Sequence, residues 1–345
     1  MSGGTTHDND LQTVAQALVA PGKGILAADE STPTITKRFE TIGLESTEEH
    51  RRTYREMLLT TPHLGEYISG VILYDETIRQ KASDGTPFAE VLRRNGILTG
   101  IKVDLGAKDL ALCPGEKITE GLDGLRERFA DYAELGARFS KWRAVIHISE
   151  TSPTRSGLLA NAHALARFAA LSQEAGLVPM VEPEVLMDGN HSLKRCERVT
   201  EAALKTVFQQ LSEHRIVFEH MLLKPNMVLP GEDAREQASI EEVAETTLRC
   251  LRRAVPAAVP GIVFLSGGQS DLQATSHLDA INKIGNTPWQ LSCSFGRALQ
   301  TPALAAWGGK NTHAGQQALL DRARCNSAAR SGHYSEEMER EEIAA

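Results

Sequence analysis

The residue with the clearest chemical potential is a lysine placed inside an apolar segment. The segment HMLLKPNMVLPG, residues 220–231, surrounds Lys224 with apolar side chains and puts a proline directly after it. A free lysine has a pKa near 10.4, so at pH 7 only about one in 2,500 is an uncharged amine. Burial lowers that pKa, and so does a second cation nearby. The segment therefore predicts either a paired buried charge or an amine that is neutral enough to attack a carbonyl.

Seven other apolar segments resemble the one around Lys224. The eight segments are 24–30, 67–76, 97–104, 139–148, 177–186, 221–228, 261–268 and 289–296. Their near-continuous apolar character is typical of strands that are covered on both faces.

Amphipathic patterns lie between the apolar segments and predict helices over 160–176, 192–214 and 239–255. Ser192 is a candidate N-cap, and Ser239 with Glu242 has capping-box spacing. Strands that alternate with helices predict an α/β fold, a (β/α)8 TIM barrel in a single domain. We place that domain at residues 1–334 and expect a flexible acidic tail at 335–345. A doubly wound open sheet is the alternative, although no glycine-rich nucleotide motif follows a strand.

A barrel predicts where functional residues should lie, because its active site is at the carboxyl ends of the strands. Charged residues do concentrate there: Asp29, Lys102, Lys141, Arg143, Glu182, Glu184 and Lys224 all lie late in their segments. Residues two apart on a strand share a face, so each adjacent pair of charges projects to one side. We expect these side chains to meet at one mouth.

Each of these residues also has a structural explanation. Glu182 and Glu184 could be ion-pair partners of Lys141 and Arg143, and Asp29 could cap the helix that follows it. Ser266-Gly267-Gly268 could be no more than a tight turn between a strand and a helix. The concentration of such residues at one rim favours the functional interpretation.

The set permits chemistry through an imine on Lys224. An iminium withdraws electrons from the adjacent carbon, so a proton or a carbon–carbon bond can be lost there. Its formation needs a general acid, and Glu182 or Glu184 fits if burial raises its pKa. Asp29 is a candidate base for the hydroxyl of a β-hydroxy ketone.

Glycines and cations at the strand ends predict phosphate binding. Gly267, Gly268 and Gly296 leave backbone N–H groups open where barrels commonly hold phosphate. Arg297 can complete that site with a charge-assisted hydrogen bond. Lys102 with Arg38 is a candidate second site at the opposite end, which would suit a bisphosphorylated sugar.

The composition limits the partners of the chain. The 345 residues carry a formal net charge of −8, which disfavours nucleic acid and anionic membranes. The five cysteines form no CxxC pair, and the N-terminus has no apolar signal segment. We therefore expect a cytoplasmic protein, with a plastid as the alternative if a transit peptide has been removed.

Taken together, these segments closely resemble the class I fructose-bisphosphate aldolase family over about residues 10–334. The matching strings include PGKGILAADEST, GVILYDET, KWRAVIHI, VPMVEPEVLMDG, LLKPNMVLPG, FLSGGQS and SFGRALQ, in family order. The resemblance implies a TIM barrel and metal-independent, reversible cleavage of fructose 1,6-bisphosphate. The products would be dihydroxyacetone phosphate and glyceraldehyde 3-phosphate. It also implies no cofactor and a homotetramer that acts on sugar phosphates.

The resemblance also implies roles for individual residues. Lys224 resembles the Schiff-base lysine, Glu182 the acid and base of imine formation with Glu184 and Lys141 as partners, and Asp29 the residue that assists carbon–carbon cleavage. Ser266, Gly267, Gly296 and Arg297 resemble a C1-phosphate site. Ser31, Thr34, Arg38 and Lys102 resemble a C6-phosphate end.

Three departures from the family pattern stand out. Thr34 replaces a common serine, Pro33 replaces a common glycine, and the chain has no tyrosine after Tyr334, whereas animal members end in one. A zinc-dependent aldolase, another Schiff-base barrel enzyme and a non-catalytic scaffold remain alternatives on chemical grounds alone. The scattered histidines disfavour zinc, and two phosphate ends disfavour the second alternative. Intact lysines and carboxylates at the rim disfavour the third.

Overall fold

The predicted barrel is present. The computed structural model describes residues 5–339, with side chains from residue 10 onward. Eight parallel strands close into a barrel in the order β1-β2-β3-β6-β7-β8-β9-β10, and β10 pairs with β1. The strands are Gly24–Ala28 (β1), Ile68–Leu73 (β2), Leu98–Lys102 (β3), Phe139–Ile146 (β6), Val178–Val185 (β7), Leu222–Leu223 (β8), Gly261–Phe264 (β9) and Gln290–Phe295 (β10). All eight predicted strands are confirmed.

Thirteen α-helices fall within residues 5–339. They are Thr5–Leu18 (α1), Thr32–Glu40 (α2), Glu48–Leu59 (α3), Leu64–Tyr67 (α4), Asp75–Arg79 (α5), Phe88–Arg94 (α6), Leu125–Glu134 (α7), Arg155–Glu174 (α8), Leu193–Glu213 (α9), Ile240–Ala254 (α10), Asp271–Ile284 (α11), Arg297–Trp307 (α12) and Thr312–Arg330 (α13). Short 3-10 turns cover Phe218–His220 and Glu336–Glu339. No helix of this part of the chain is long and apolar enough to cross a bilayer.

Two predicted helix caps are present, and a third predicted helix begins earlier than expected. The Ser192 side chain caps α9, and Ser239 and Glu242 form a capping box at the start of α10. The helix predicted from residue 160 begins at Arg155 instead. Its cap is Thr154, which a buried carboxylate, Glu116, holds by two hydrogen bonds. Glu116 comes from a hairpin, Ala107–Asp109 (β4) and Lys117–Thr119 (β5), that the sequence pattern does not predict.

The strand that leads to Lys224 is much shorter than predicted. Only Leu222 and Leu223 form the ladder of β8, because Pro225 has no N–H to continue it. The backbone N–H of Lys224 still donates to the carbonyl of Val181 at 2.8 Å. This bond fixes the start of the Lys224 side chain against β7.

The floor of the barrel is filled by apolar side chains from the strands and from α1. Leu11, Val14, Ala15 and Leu18 of α1 close the amino-terminal end of the barrel and belong to the same cluster as Phe139. The ring of Phe139 lies so close to Gly100 that a Cβ there would overlap it. A packed floor leaves the opposite, carboxyl-terminal mouth as the place for a cavity.

The carboxyl-terminal segment begins with ordered contacts. Tyr334 is buried, its N–H donates to Asp279 at 2.9 Å, and its hydroxyl donates to Glu339 at 2.9 Å. Glu339 also forms an ion pair with the buried Arg322. The rest of the tail predicted at 335–345, residues 340–345, lies outside the described residues.

The contact between Gly100 and Phe139 can be tested by stability measurements. Gly100→Ala should lower the free energy of unfolding by about 1–3 kcal/mol, because the added methyl overpacks the floor. Phe139→Leu alone should also destabilise, because it leaves a cavity. Combined, the two changes should destabilise less than the sum of the single effects, as read from thermal or urea unfolding. Strict additivity would contradict the packing described above.

Candidate active site

One cavity at the carboxyl ends of the strands is lined by nearly all of the residues predicted for the site, although Gly268 is not part of its wall. Its volume is about 560 Å³. The predicted residues in its wall are Asp29, Ser31, Thr34, Arg38, Lys102, Lys141, Arg143, Glu182, Glu184, Lys224, Ser266, Gly267, Gly296 and Arg297. The expectation that the charged strand ends share one mouth is therefore confirmed.

A chain of alternating charges runs through the deepest part of the cavity. Lys224 is only 3% exposed, and its Nζ lies 3.2 Å from Oε1 of Glu182. The Nζ of Lys141 lies 3.1 Å from Oε2 of the same carboxylate and 2.6 Å from Oδ2 of Asp29. The contact between Lys141 and Glu182 is an ion pair without hydrogen-bond geometry. Glu182 is thus shared between two lysines, and Lys141 between two carboxylates.

The two carboxylates in this row of alternating charges, Glu182 and Asp29, are ionised in the free protein. Burial raises the pKa of Glu182, but the cations of Lys141, Lys224 and Arg143 outweigh burial and hold that pKa below its ordinary value. Asp29 behaves alike: burial raises its pKa, and Lys141 and Lys224 bring it well below the usual range. The condition set for Glu182 as a general acid, a pKa raised by burial, is therefore not met in the free protein, because three cations surround it.

Lys141 is the matching cation. Burial lowers the pKa of its ammonium, but Asp29 and Glu182 raise it above the ordinary value by a larger amount. Its charge is therefore fixed, and its two carboxylate partners largely offset it. Asp29 is not a helix cap, because Ser31 precedes α2 and Asp29 points to Lys141 instead.

Two further ion pairs lie beside this chain. Arg143 pairs with Glu184, so the structural role considered for that glutamate is present in the free protein. The ammonium of Lys102 lies 2.6 Å from Oδ1 of Asp104, and Lys102 stands opposite Lys141 in the strand register. Both pairs keep cations at the wall, where an incoming anion would meet them.

One end of the cavity has the features of an anion site. Gly296 precedes α12, whose first turn has no side-chain cap, and a helix start with open N–H groups favours anions. Arg297, the first residue of α12, donates to the carbonyl of Gly267. Burial and the nearby cation of Arg38 lower the pKa of Arg297. Gly267 has φ +53°, a left-handed conformation that favours glycine at this turn.

A face of α2 forms another part of the wall. Ser31 and Thr34 lie with their hydroxyl oxygens 3.1 Å apart, and Lys37 and Thr41 follow on the same side of the helix. Pro33 lies in the first turn of α2, where a missing N–H removes no helical hydrogen bond.

The structure places the guanidinium of Arg38 close to the start of α12. Its Nη2 lies 3.8 Å from the position that a Cβ on Gly296 would occupy. The guanidinium is held there by Glu30, which also accepts a hydrogen bond from Gln300 on α12. Arg38 thus lies beside Gly296 and Arg297, and its predicted grouping with Lys102 stays a prediction.

Sequence reasoning missed several residues of the wall. Ser294 lines the cavity, and its buried hydroxyl has no hydrogen-bond partner among the described residues. It stands two residues before Gly296 on β10, so the two-residue period of a strand could have found it. Lys37 is three residues after Thr34, which helical spacing could have shown. Glu30 had no such signal, because its partners come from distant parts of the chain.

Within residues 10–339, no cluster of three or more histidine, cysteine or acidic side chains is arranged to hold a metal ion. The donors that this cavity offers are ammonium, guanidinium, hydroxyl and backbone N–H groups. Such a set suits an anionic, oxygen-rich ligand.

The pKa shift of Asp29 predicts how stability depends on pH. A depressed pKa contributes stability that is fully present above the unfolded value, about 4, and is lost as the pH falls further. Asp29→Asn should therefore cost roughly 3 kcal/mol near neutral pH, with a smaller cost below pH 4, as read from unfolding at a series of pH values.

Asp109→Asn is the matched control, because Asp109 forms an exposed ion pair with Lys117. Its effect should be small at every pH, since exposed pairs are screened by water. A cost of Asp29→Asn that does not change with pH would contradict the assignment.

Comparisons with known proteins identify the family of the chain. A family model described as Fructose-bisphosphate aldolase class-I matches residues 10–345. A protein of Xanthomonas axonopodis pv. citri, named probable fructose-bisphosphate aldolase class 1, is 58% identical over 327 residues, which is 94% of this chain and 98% of that protein. Fructose-bisphosphate aldolase 4, cytosolic, of Arabidopsis thaliana is 51% identical over 94% of this chain and 84% of that protein.

A solved structure shares the fold over nearly the whole length. Fructose-bisphosphate aldolase from Plasmodium falciparum, in a ternary complex with TRAP and a small-molecule inhibitor, superposes with a TM-score of 0.95. The two sequences are 47% identical, and the match covers 96% of each chain. With this fold, this cavity and these relatives, the chain belongs to the class I fructose-bisphosphate aldolase family.

Proposed function

We propose that this aldolase cleaves fructose 1,6-bisphosphate reversibly, through an imine on Lys224, into dihydroxyacetone phosphate and glyceraldehyde 3-phosphate. The observation that carries the proposal is the position of the Lys224 amine. It is buried in the barrel, borders the cavity and lies 3.2 Å from a carboxylate that can exchange a proton with it. The cations around the cavity supply the charge that a bisphosphate needs.

Two parts of the wall would hold the two phosphates. Ser266, Gly267, Gly296 and Arg297 would bind the phosphate on the ketone side of the sugar, at the start of α12. Ser31, Thr34 and Lys102 would bind the other phosphate, with Lys37 nearby on α2. Arg143 would remain paired with Glu184 and contribute positive charge between the two ends. Lys224 would lie under the carbonyl.

Imine formation requires Glu182 first to accept a proton and later to donate it. Lys224 must lose a proton before it attacks the ketone, and the ionised Glu182 at 3.2 Å is placed to accept one. The neutral carbinolamine then removes one of the cations that hold the pKa of Glu182 down. The effect of burial, which raises that pKa, then becomes larger relative to the effect of the remaining cations. Glu182 can therefore donate its proton to the departing hydroxyl, which leaves as water.

Carbon–carbon cleavage needs a base at the hydroxyl two carbons from the imine. Asp29 is ionised, as a base must be, and it lies on the opposite side of Lys141 from Glu182. Its low pKa makes it weak, so proton transfer must accompany bond cleavage. The iminium on Lys224 accepts the electron pair of the broken bond and becomes an enamine.

The partners and location follow from the family resemblance. We expect a homotetramer in the cytoplasm that needs no cofactor, and one relative is named as cytosolic. The net charge of −8 disfavours nucleic acid and anionic membrane surfaces as partners.

Chemical trapping tests the imine directly. After incubation with dihydroxyacetone phosphate, borohydride should reduce the imine to a stable secondary amine, and peptide mapping should find the adduct on Lys224. Lys102 and Lys141 serve as internal controls, because both line the same cavity and pair with carboxylates. Lys224→Met should abolish the adduct, and Lys283→Met, at an exposed lysine, should preserve it.

Chelation separates this proposal from the metal-dependent alternative. Adduct formation and turnover should both persist in a chelator. An adduct elsewhere, or none, would refute the imine on Lys224. Activity that a chelator abolishes would favour the metal-dependent route, and a protein with neither adduct nor turnover would be a scaffold.

The unpartnered hydroxyl of Ser294 gives a second test. We expect Ser294→Ala to lower kcat/KM about tenfold through one lost hydrogen bond to bound substrate, with little change in Tm. Ser292→Ala is the matched control on the same strand, since its hydroxyl donates to the carbonyl of Lys23 at 2.8 Å. It should cost about 1 kcal/mol of stability and leave kcat/KM unchanged. Equal kinetic effects of the two substitutions would contradict this role for Ser294.

A further inference from the structure

Glu30 is a buried carboxylate that the proposed chemistry does not use. It follows Asp29 at the end of β1, and its side chain is 4% exposed. Neighbouring residues of an extended segment point to opposite sides. Asp29 points to Lys141 inside the barrel, whereas Glu30 points to α2, α3 and α12.

Both oxygens of Glu30 have cationic neighbours. Oε1 accepts hydrogen bonds from Nη1 of Arg38 and, at 2.8 Å, from Nε2 of Gln300. Oε2 lies 2.6 Å from Nη2 of Arg55, a nearly fully buried arginine of α3. One carboxylate therefore connects a cavity residue to two residues outside the cavity.

Gln300 links this carboxylate to the start of α12. Its Nε2 also donates to the carbonyl of Ala27 at 2.6 Å, and its Oε1 accepts from the hydroxyl of Tyr54 at 3.0 Å. Gln300 is one helical turn after Arg297. The same hydrogen-bond network thus fixes the first turn of α12 and the guanidinium of Arg38.

We infer that Glu30 is a positioning residue, which holds Arg38 beside Gly296 and Arg297 so that Arg38 binds the same phosphate as they do. The inference rests on the proposed function, because it assigns Arg38 to one of two phosphate ends. The position of Arg38 near Gly296 supports it, and so does the effect of its charge on the pKa of Arg297.

The charges of the group fit this assignment. Arg38, Arg55 and Arg297 are three cations, and Glu30 is the carboxylate that pairs with two of them. The net charge of two positive units matches a phosphate monoester, which carries about −1.5 to −2 at pH 7. Without Glu30 the two neighbouring guanidinium groups would repel each other and Arg38 would lose its fixed direction.

A comparison of two substrates tests which phosphate Arg38 meets. Fructose 1,6-bisphosphate and fructose 1-phosphate both carry the phosphate on the ketone side, and only the bisphosphate carries the second phosphate. Glu30→Gln keeps the shape of the side chain and removes its charge. It should raise KM for both substrates by the same factor, about tenfold, and change kcat less than twofold. A rise for the bisphosphate alone would place Arg38 at the other end and overturn the inference.

A double-mutant cycle tests whether Glu30 acts through Arg38. Arg38→Ala should raise KM at least as much as Glu30→Gln, and the double variant should match Arg38→Ala alone. Additive effects would show that Glu30 acts independently and would overturn the inference. So would a Glu30→Gln variant with reduced Tm and unchanged KM, which would indicate a structural role only. Failure of the proposed function would be seen separately, as a wild-type protein without turnover.

Discussion

The site depends on one carboxylate shared between two lysines inside a barrel. Glu182 lies within ion-pair distance of both Lys141 and Lys224, and nearly all of its surface is removed from water. Burial raises its pKa, and the surrounding cations outweigh burial and hold that pKa below its ordinary value. A change in the charge of Lys224 therefore changes the proton affinity of Glu182. In the proposed mechanism, this coupling would let Glu182 accept a proton and later return it.

The barrel produces this arrangement through strand register and the two-residue period. Arg143 stands opposite Glu182 on adjacent strands, and Lys141 and Glu182 both turn inward from β6 and β7. Lys224 reaches the same level because its N–H bonds to Val181 even though β8 has already ended. The packed floor of Phe139 and α1 closes the other end. Charges at the strand ends consequently face a single cavity.

The sequence predicted the fold and the cavity because both follow from local patterns. Eight apolar segments and their spacing are enough for a barrel, and late charged residues then must converge. The direction of the pKa shift of Glu182 could not be predicted, because it depends on the number of cations around the carboxylate, which only the packing of several strands determines. Arg38 likewise could not be placed from α2 alone, since residues from β1 and α12 hold it. The hairpin around Glu116 was missed because its strands have three residues each.

Buried ion pairs alone do not identify an active site, and this chain shows why. The pair of Glu30 and Arg55 is as buried as that of Glu182 and Lys224, yet Arg55 does not line the cavity. Lys224 differs from Arg55 because its buried amine borders space large enough for a ligand. Removing one partner from either pair would leave an uncompensated buried charge. Of the two cations, only Lys224 is placed where its amine could react with a bound ketone. Access to the cavity, rather than burial, separates Lys224 from the structural cation Arg55.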